Sequence, residues 1–116
     1  IIDMYTQAIA SEKAEVMQHY GDDFASSGHL MLVRLTGKGE QERNELITAM
    51  AERGIATNVH YKPLPLHTAY KNLGFSIEDY PNAYEMYHNE ITLPLHTCLT
   101  DEQVRYVTDN FIELNK

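Results

Sequence analysis

The sequence predicts a single α+β domain, an α/β sandwich whose small sheet of about three strands is packed with helices. Three observations carry that expectation. Segments of helical period alternate along the chain with short runs of strand period. Glycine and proline punctuate the joints between them. Of the 116 residues, 43% are hydrophobic, enough to build a core in a chain of one-domain length.

Residues 1–20 read as one helix, with Ile2, Tyr5, Ile9, Val16 and Tyr20 at helical spacing. Gly21-Asp22-Asp23 stops it, and Ser26-Ser27-Gly28 is loop. His29 to Leu35 is short, apolar on both alternating faces and bounded by Gly28 and Gly37, which fits a mostly buried strand. Glu40 to Arg53 is a second helix with Leu46, Ile47 and Met50 on one face. Its acids gather near the start, where the helix dipole favours them, and Gly54 stands where a helix commonly ends. Ile55 to Tyr61 alternates, with Ile55, Thr57, Val59 and Tyr61 on one face and Ala56, Asn58 and His60 on the other, as in a strand.

Lys62-Pro63-Leu64-Pro65 cannot continue a central strand, because two prolines remove two donors. A short helix is expected over residues 67–73, stopped by Gly74. A longer one should begin near Pro81, with Ala83, Tyr84, Tyr87 and Ile91 as its inner face. Thr92-Leu93-Pro94-Leu95 should be extended, with a sheet edge or irregular end at the proline. In the last helix, Thr100 and Gln103 fit a capping box, and Val104, Val107, Phe111 and Leu114 recur at steps of three and four. The expected order is α-β-α-β-α-β-α, with helices on one face of the sheet.

Charge and composition exclude several functions. Seventeen acids against nine lysines and arginines give a net charge of −8, unsuited to nucleic acid or an anionic membrane. One cysteine excludes an internal disulfide framework and a cysteine-based metal cluster. No apolar run approaches the roughly 18 residues of a membrane span, and no secretory pattern is present. The reducing cytosol is therefore the expected compartment. A start at Ile1 inside a helical pattern suggests a piece of a longer protein.

Chemistry concentrates between Val59 and Tyr70, where two histidines, two tyrosines and a lysine follow a strand end. His60 and His67 are suited to exchange protons near neutral pH or to bind a polar substrate. A lone strand histidine is more often structural. His60, His67, His88 and His96 match no zinc spacing. Cys98 precedes the last helix and reads as a small packing residue. Gly37-Lys38-Gly39 lacks the spacing of a phosphate loop.

Four pieces in order resemble one family. They are Gly54-Ile55-Ala56-Thr57-Asn58-Val59-His60-Tyr61, then Lys62-Pro63-Leu64-Pro65-Leu66-His67 with Tyr70, then Tyr80-Pro81-Asn82-Ala83. The fourth is Ile91-Thr92-Leu93-Pro94-Leu95 with Leu99-Thr100-Asp101-Glu102-Gln103 and Tyr106-Val107. They resemble the C-terminal portion of the DegT/StrS pyridoxal-phosphate-dependent sugar aminotransferases. Two departures, Tyr84 before Glu85 and His96-Thr97 after Leu95, bear on subfamily.

The resemblance implies the small C-terminal domain of a fold-type I aminotransferase over residues 28–116. Residues 1–27 would be a helix like the family's inter-domain segment, and the large cofactor-binding domain would be absent. The whole enzyme would be a homodimer. It would move an amino group from glutamate to a keto group of a nucleotide-linked sugar, with pyridoxal phosphate as electron sink. The Schiff-base lysine lies in the large domain, so Lys62 is not assigned that role. No catalytic, cofactor-binding or metal residue is assigned to this chain. His60, Tyr61, His67 and Tyr70 are expected to line the sugar-binding side, with His67 the foremost polar contact. Two other readings stand beside this one. One is a non-transaminating member, a sugar dehydratase or cofactor-binding regulator. The other is a stand-alone α+β binding module.

Overall fold

The computed structural model describes residues 1–11 and 13–116. Among the described residues the fold is α+β, with three antiparallel strands in the order β1-β2-β3 and five α-helices. Strand β1 is Ala14–Val16, β2 is Met31–Leu35 and β3 is Glu90–Leu93. The helices are α1 (Ile2–Ile9), α2 (Glu40–Glu52), α3 (Thr68–Asn72), α4 (Pro81–Tyr87) and α5 (Asp101–Leu114). Strand β2 is central, and its pleat sorts its residues. Met31, Val33 and Leu35 are fully buried on one face, while Leu32 and Arg34 are half-buried on the other.

Pairing extends the buried face across the sheet. Val33 stands opposite Ile91 and Met31 opposite Leu93, while Leu35 stands opposite Ala14. Tyr5 and Ile9 of α1, Leu46 and Met50 of α2, and Val104, Val107 and Phe111 of α5 complete this core. Each large apolar side chain so buried contributes about 1.5–3 kcal/mol. The second face carries Leu32 and Arg34 of β2 opposite Thr92 and Glu90 of β3, and that face holds the candidate site.

Several elements match the expectations. Strand β2, helices α2 and α3, and the start of α4 at Pro81 lie where expected. Gly54 takes a φ of +73° just past the end of α2, a conformation that glycine adopts at little cost. At α5, the Thr100 hydroxyl accepts from the Gln103 N–H at 3.2 Å, and Gln103 Oε1 accepts from the Thr100 N–H at 2.9 Å. This is the expected capping box.

Three elements differ, each because sheet or side-chain hydrogen bonds override local preference. The expected helix over 1–20 ends at Ile9. Ala14–Val16 joins the sheet instead, and Met17 N–H donates to Leu32 O at 3.0 Å. Glu12, within that expected helix, lies outside the described residues. The expected strand over 55–61 reduces to one bridge, in which Asn58 and Thr92 exchange N–H···O bonds of 3.1 and 2.8 Å. Side chains capture the next two donors. Val59 N–H donates to Asn58 Oδ1 at 2.8 Å and His60 N–H to Glu90 Oε2 at 3.0 Å, so the ladder stops. Finally, α4 ends at Tyr87, and Ile91 belongs to β3, where β2 claims its backbone. Ala83 and Tyr84 are exposed rather than an inner face. The order is therefore α-β-β-α-α-α-β-α.

Candidate functional site

The site is built on the second face of the sheet by the segment that follows α2. The Asn58–Thr92 bridge ties this segment to the edge of β3. Two residues on, His60 lies over β3, and the peptide bond to Tyr61 is cis. The His60 ring is held at Nδ1, 2.9 Å from Thr92 Oγ1. The Thr92 hydroxyl donates in turn to Glu90 Oε1, and Glu90 Oε2 accepts from the His60 N–H. Glu90 is only 4% exposed. Burial pushes its carboxyl above the ordinary value. The bonds from Thr92 and from the His60 N–H, and the nearby Arg43 guanidinium, pull the other way.

Arg43 supports the same strand from behind. Its Nη1 donates to Tyr87 O and Glu90 O, each at 3.2 Å, and its guanidinium lies 4.9 Å from the centre of the Tyr87 ring. This buried cation fixes the start of β3, and with it Glu90, from the side of α2.

The four expected site residues fall into three places. His60 and Tyr61 meet edge to face with ring centres 4.7 Å apart, and Tyr61 is 70% exposed. His67 is exposed, and its Nε2–H donates to Lys62 O at 3.3 Å across a 3₁₀ turn at Leu64–Leu66. Proline in that turn stiffens the loop. Tyr70 lies against Phe75, ring centres 6.0 Å apart. With Pro63, Leu64, Pro65, Phe75 and Tyr80 it lines an open apolar hollow of about 430 Å³. The two histidines are thus anchored separately, His60 to the sheet and His67 within its own loop. Loop prolines and aromatics connect them.

Glu90, Thr92 and Arg43 belong to the site although the sequence reading passed them over. A signal was present. Asn58 and His60 form the polar alternate face of one segment, and Glu90 and Thr92 form that of another. Two such faces in one small sheet are candidates to meet. Among the described residues, no three His, Cys, Asp or Glu side chains are placed to hold a metal ion. No helix among them is long and apolar enough to cross a membrane. Cys98 is exposed rather than packed.

Comparison with known proteins agrees with this architecture. The fold matches Spr1654 of Streptococcus pneumoniae, described as a sugar aminotransferase, with a TM-score of 0.95 and 47% identity. The match covers 98% of this chain and 29% of that one. Spr1654 has been solved in apo, PLP- and PMP-forms, and pyridoxal phosphate is the cofactor implied for the family. The spore coat polysaccharide biosynthesis protein SpsC of Bacillus subtilis is 35% identical over 86 residues, covering 72% of this chain and 22% of SpsC. The UDP-4-amino-4,6-dideoxy-N-acetyl-beta-L-altrosamine transaminase of Helicobacter pylori is 31% identical over 88 residues, covering 76% and 23%. The chain therefore spans less than a third of the length of these proteins. The family model matches residues 1–112. On that match, and with the fold it shares, the chain belongs to the DegT/DnrJ/EryC1/StrS aminotransferase family.

Proposed function

We propose that residues 28–116 act as the small C-terminal domain of a pyridoxal-phosphate-dependent aminotransferase, with residues 1–27 connecting to a large domain. The whole enzyme moves an amino group from glutamate to a keto group of a nucleotide-linked sugar. It works as a cytoplasmic homodimer. In this reading His60, Tyr61, His67 and Tyr70 stand on the sugar side of the active site.

One observation supports this above the rest. The His60–Thr92–Glu90 chain pins the root of a proline-stiffened loop whose far side is an apolar, aromatic-lined hollow. The walls of the hollow are apolar and aromatic, with Tyr70 and Tyr80 among them, and mostly apolar walls are usual in a site for an organic ligand. Tyr61, Leu64, Leu73 and Phe75 are 70, 56, 73 and 45% exposed. A crest of that kind is suited to being covered by the remainder of the enzyme.

In this reading the described residues of this chain do not form a site for the cofactor itself. A phosphate needs several converging donors. Thr57 Oγ1 is buried without a partner among the described residues, but a lone hydroxyl is no phosphate cup. Lys62 is exposed on the loop, and the nearby buried charge, Glu90, is negative. The cofactor is therefore assigned to the large domain, and this chain's part is to shape the substrate side and exclude water.

The test uses the full-length parent enzyme. With pyridoxal phosphate bound, glutamate should shift the cofactor's absorption band. His67→Ala should leave that band intact while raising KM or lowering kcat for the sugar. Unchanged sugar kinetics in His67→Ala would refute the placement of the loop. Cofactor binding without a shift would indicate a dehydratase or regulator, and no binding would leave only a binding module.

A further inference from the structure

The contacts of Glu90 determine more than its own position. Thr92 has a single hydroxyl proton, and it goes to Glu90 Oε1. Thr92 Oγ1 is then only an acceptor toward His60 Nδ1, 2.9 Å away. Nδ1 must carry a proton, and in the neutral ring Nε2 is left with a bare lone pair. Glu90 Oε2 cannot swap roles with Oε1, because it accepts the His60 backbone N–H at 3.0 Å. Both carboxylate oxygens are thus committed. The charged or titratable groups that face Glu90 are His60, from the loop, and Arg43, from α2.

We propose that Glu90, acting through Thr92, is a positioning residue that holds His60 in its Nδ1–H tautomer and presents Nε2 as an acceptor for a hydroxyl of the sugar substrate. This rests on the placement of His60 on the sugar side. The orienting acid does not touch substrate. It sets which end of the imidazole is a donor, in the way that a ligand histidine's second nitrogen is fixed by its hydrogen bond. Among the described residues, no hydrogen bond engages Nε2.

Glu90→Gln tests the idea with almost no change of shape. The amide oxygen must take the place of Oε2, since the His60 N–H still needs an acceptor. The NH₂ group then faces Thr92 and donates to it. The Thr92 hydroxyl has to turn and donate to Nδ1, which moves the ring proton to Nε2. A carboxamide therefore reverses the tautomer, whereas loss of packing alone would not. Thr92→Val cuts the relay without changing side-chain volume, and Thr92→Ser restores it.

The experiment uses the full-length parent enzyme, labelled with ¹⁵N-histidine and assigned through His60→Ala. The wild type should show a pyridine-type Nε2 at His60, and Glu90→Gln a pyridine-type Nδ1. KM for the keto-sugar should rise about tenfold in Glu90→Gln and Thr92→Val, the effect of one ordinary hydrogen bond. Thr92→Ser should recover it. The glutamate half-reaction should stay within about twofold, since a hydroxyl acceptor serves only the sugar. An unchanged tautomer in Glu90→Gln would overturn the proposal. So would unchanged sugar KM in both relay variants while His60→Ala raises it. If His60→Ala also leaves the sugar KM unchanged, the placement of His60 on the sugar side falls as well, and the two failures are told apart.

Discussion

Removal of the Arg43 side chain should destabilise the domain far more than removal of any surface arginine. Arg43 is 2% exposed, although it lies on the apolar stripe of α2 with Leu46 and Met50. It donates to Tyr87 O and Glu90 O at 3.2 Å each and to Asn44 Oδ1 at 2.8 Å, and it pairs with Glu40 at 3.8 Å. Arg43→Ala leaves the buried Glu90 carbonyl and the part-buried Tyr87 carbonyl without their donor, at about 2–4 kcal/mol together. The lost stem and its contact with Tyr87 add about 1 kcal/mol. The expected loss is about 3–5 kcal/mol, the range for breaking a buried ionic contact. Arg105, exposed on α5, provides the control, with an expected loss of about 0.5 kcal/mol or less. Urea unfolding of the 116-residue chain, followed by circular dichroism, reads both variants. With a slope of about 2 kcal/mol per molar, the midpoint should fall by about 1.5–2.5 M for Arg43→Ala. The reasoning fails if the two variants lie within about 1 kcal/mol of each other, because unpaired buried carbonyls are what separates them.

Further outcomes follow from the same structure. Thr100→Ala removes the acceptor of the Gln103 N–H and should cost about 1 kcal/mol, read as a fall in thermal midpoint. No loss would mean that the last helix is held by its buried face alone. Glu90 should also give the domain a pH dependence of definite sign. Burial raises its folded-state value, while its unfolded carboxyl titrates near 4.5. The folded state therefore holds this proton more tightly, and Glu90's contribution to stability falls as pH rises through the raised value. Glu90→Gln lacks that term, so the stability of the variant relative to the wild type should climb from about pH 4.5 toward neutrality. Glu113, held below its ordinary value by Arg53, has the opposite dependence, but it is present in both proteins and cancels. A difference that is flat with pH would refute the burial argument.

Much of the site was legible because its residues are unusual for their setting. Two histidines and two tyrosines beside paired prolines mark the loop from Val59 to Tyr70, and local stiffness there does not depend on distant partners. The anchors of the loop show in the sequence only as polar alternation, which names no partner. Glu90 and Thr92 sit thirty or more residues away from His60 in sequence, and a Glu-Ile-Thr run reads as readily as the end of a helix. Arg43 reads as a solvated helix charge until Tyr87 and Glu90 are brought to it.

The fold class, α2 and its glycine stop, the strand at 31–35, the capped last helix and the family are all written in short stretches of the chain. Each follows from period, capping or motif order within a short stretch, where local physics decides. Only long-range contacts make Ala14–Val16 a strand, limit residues 55–61 to one bridge, and bring Glu90 to the His60 N–H. In all three cases the deciding hydrogen bond joins residues far apart in the chain. Such a bond forms only after the core has brought the partners together, so no local pattern names the partner.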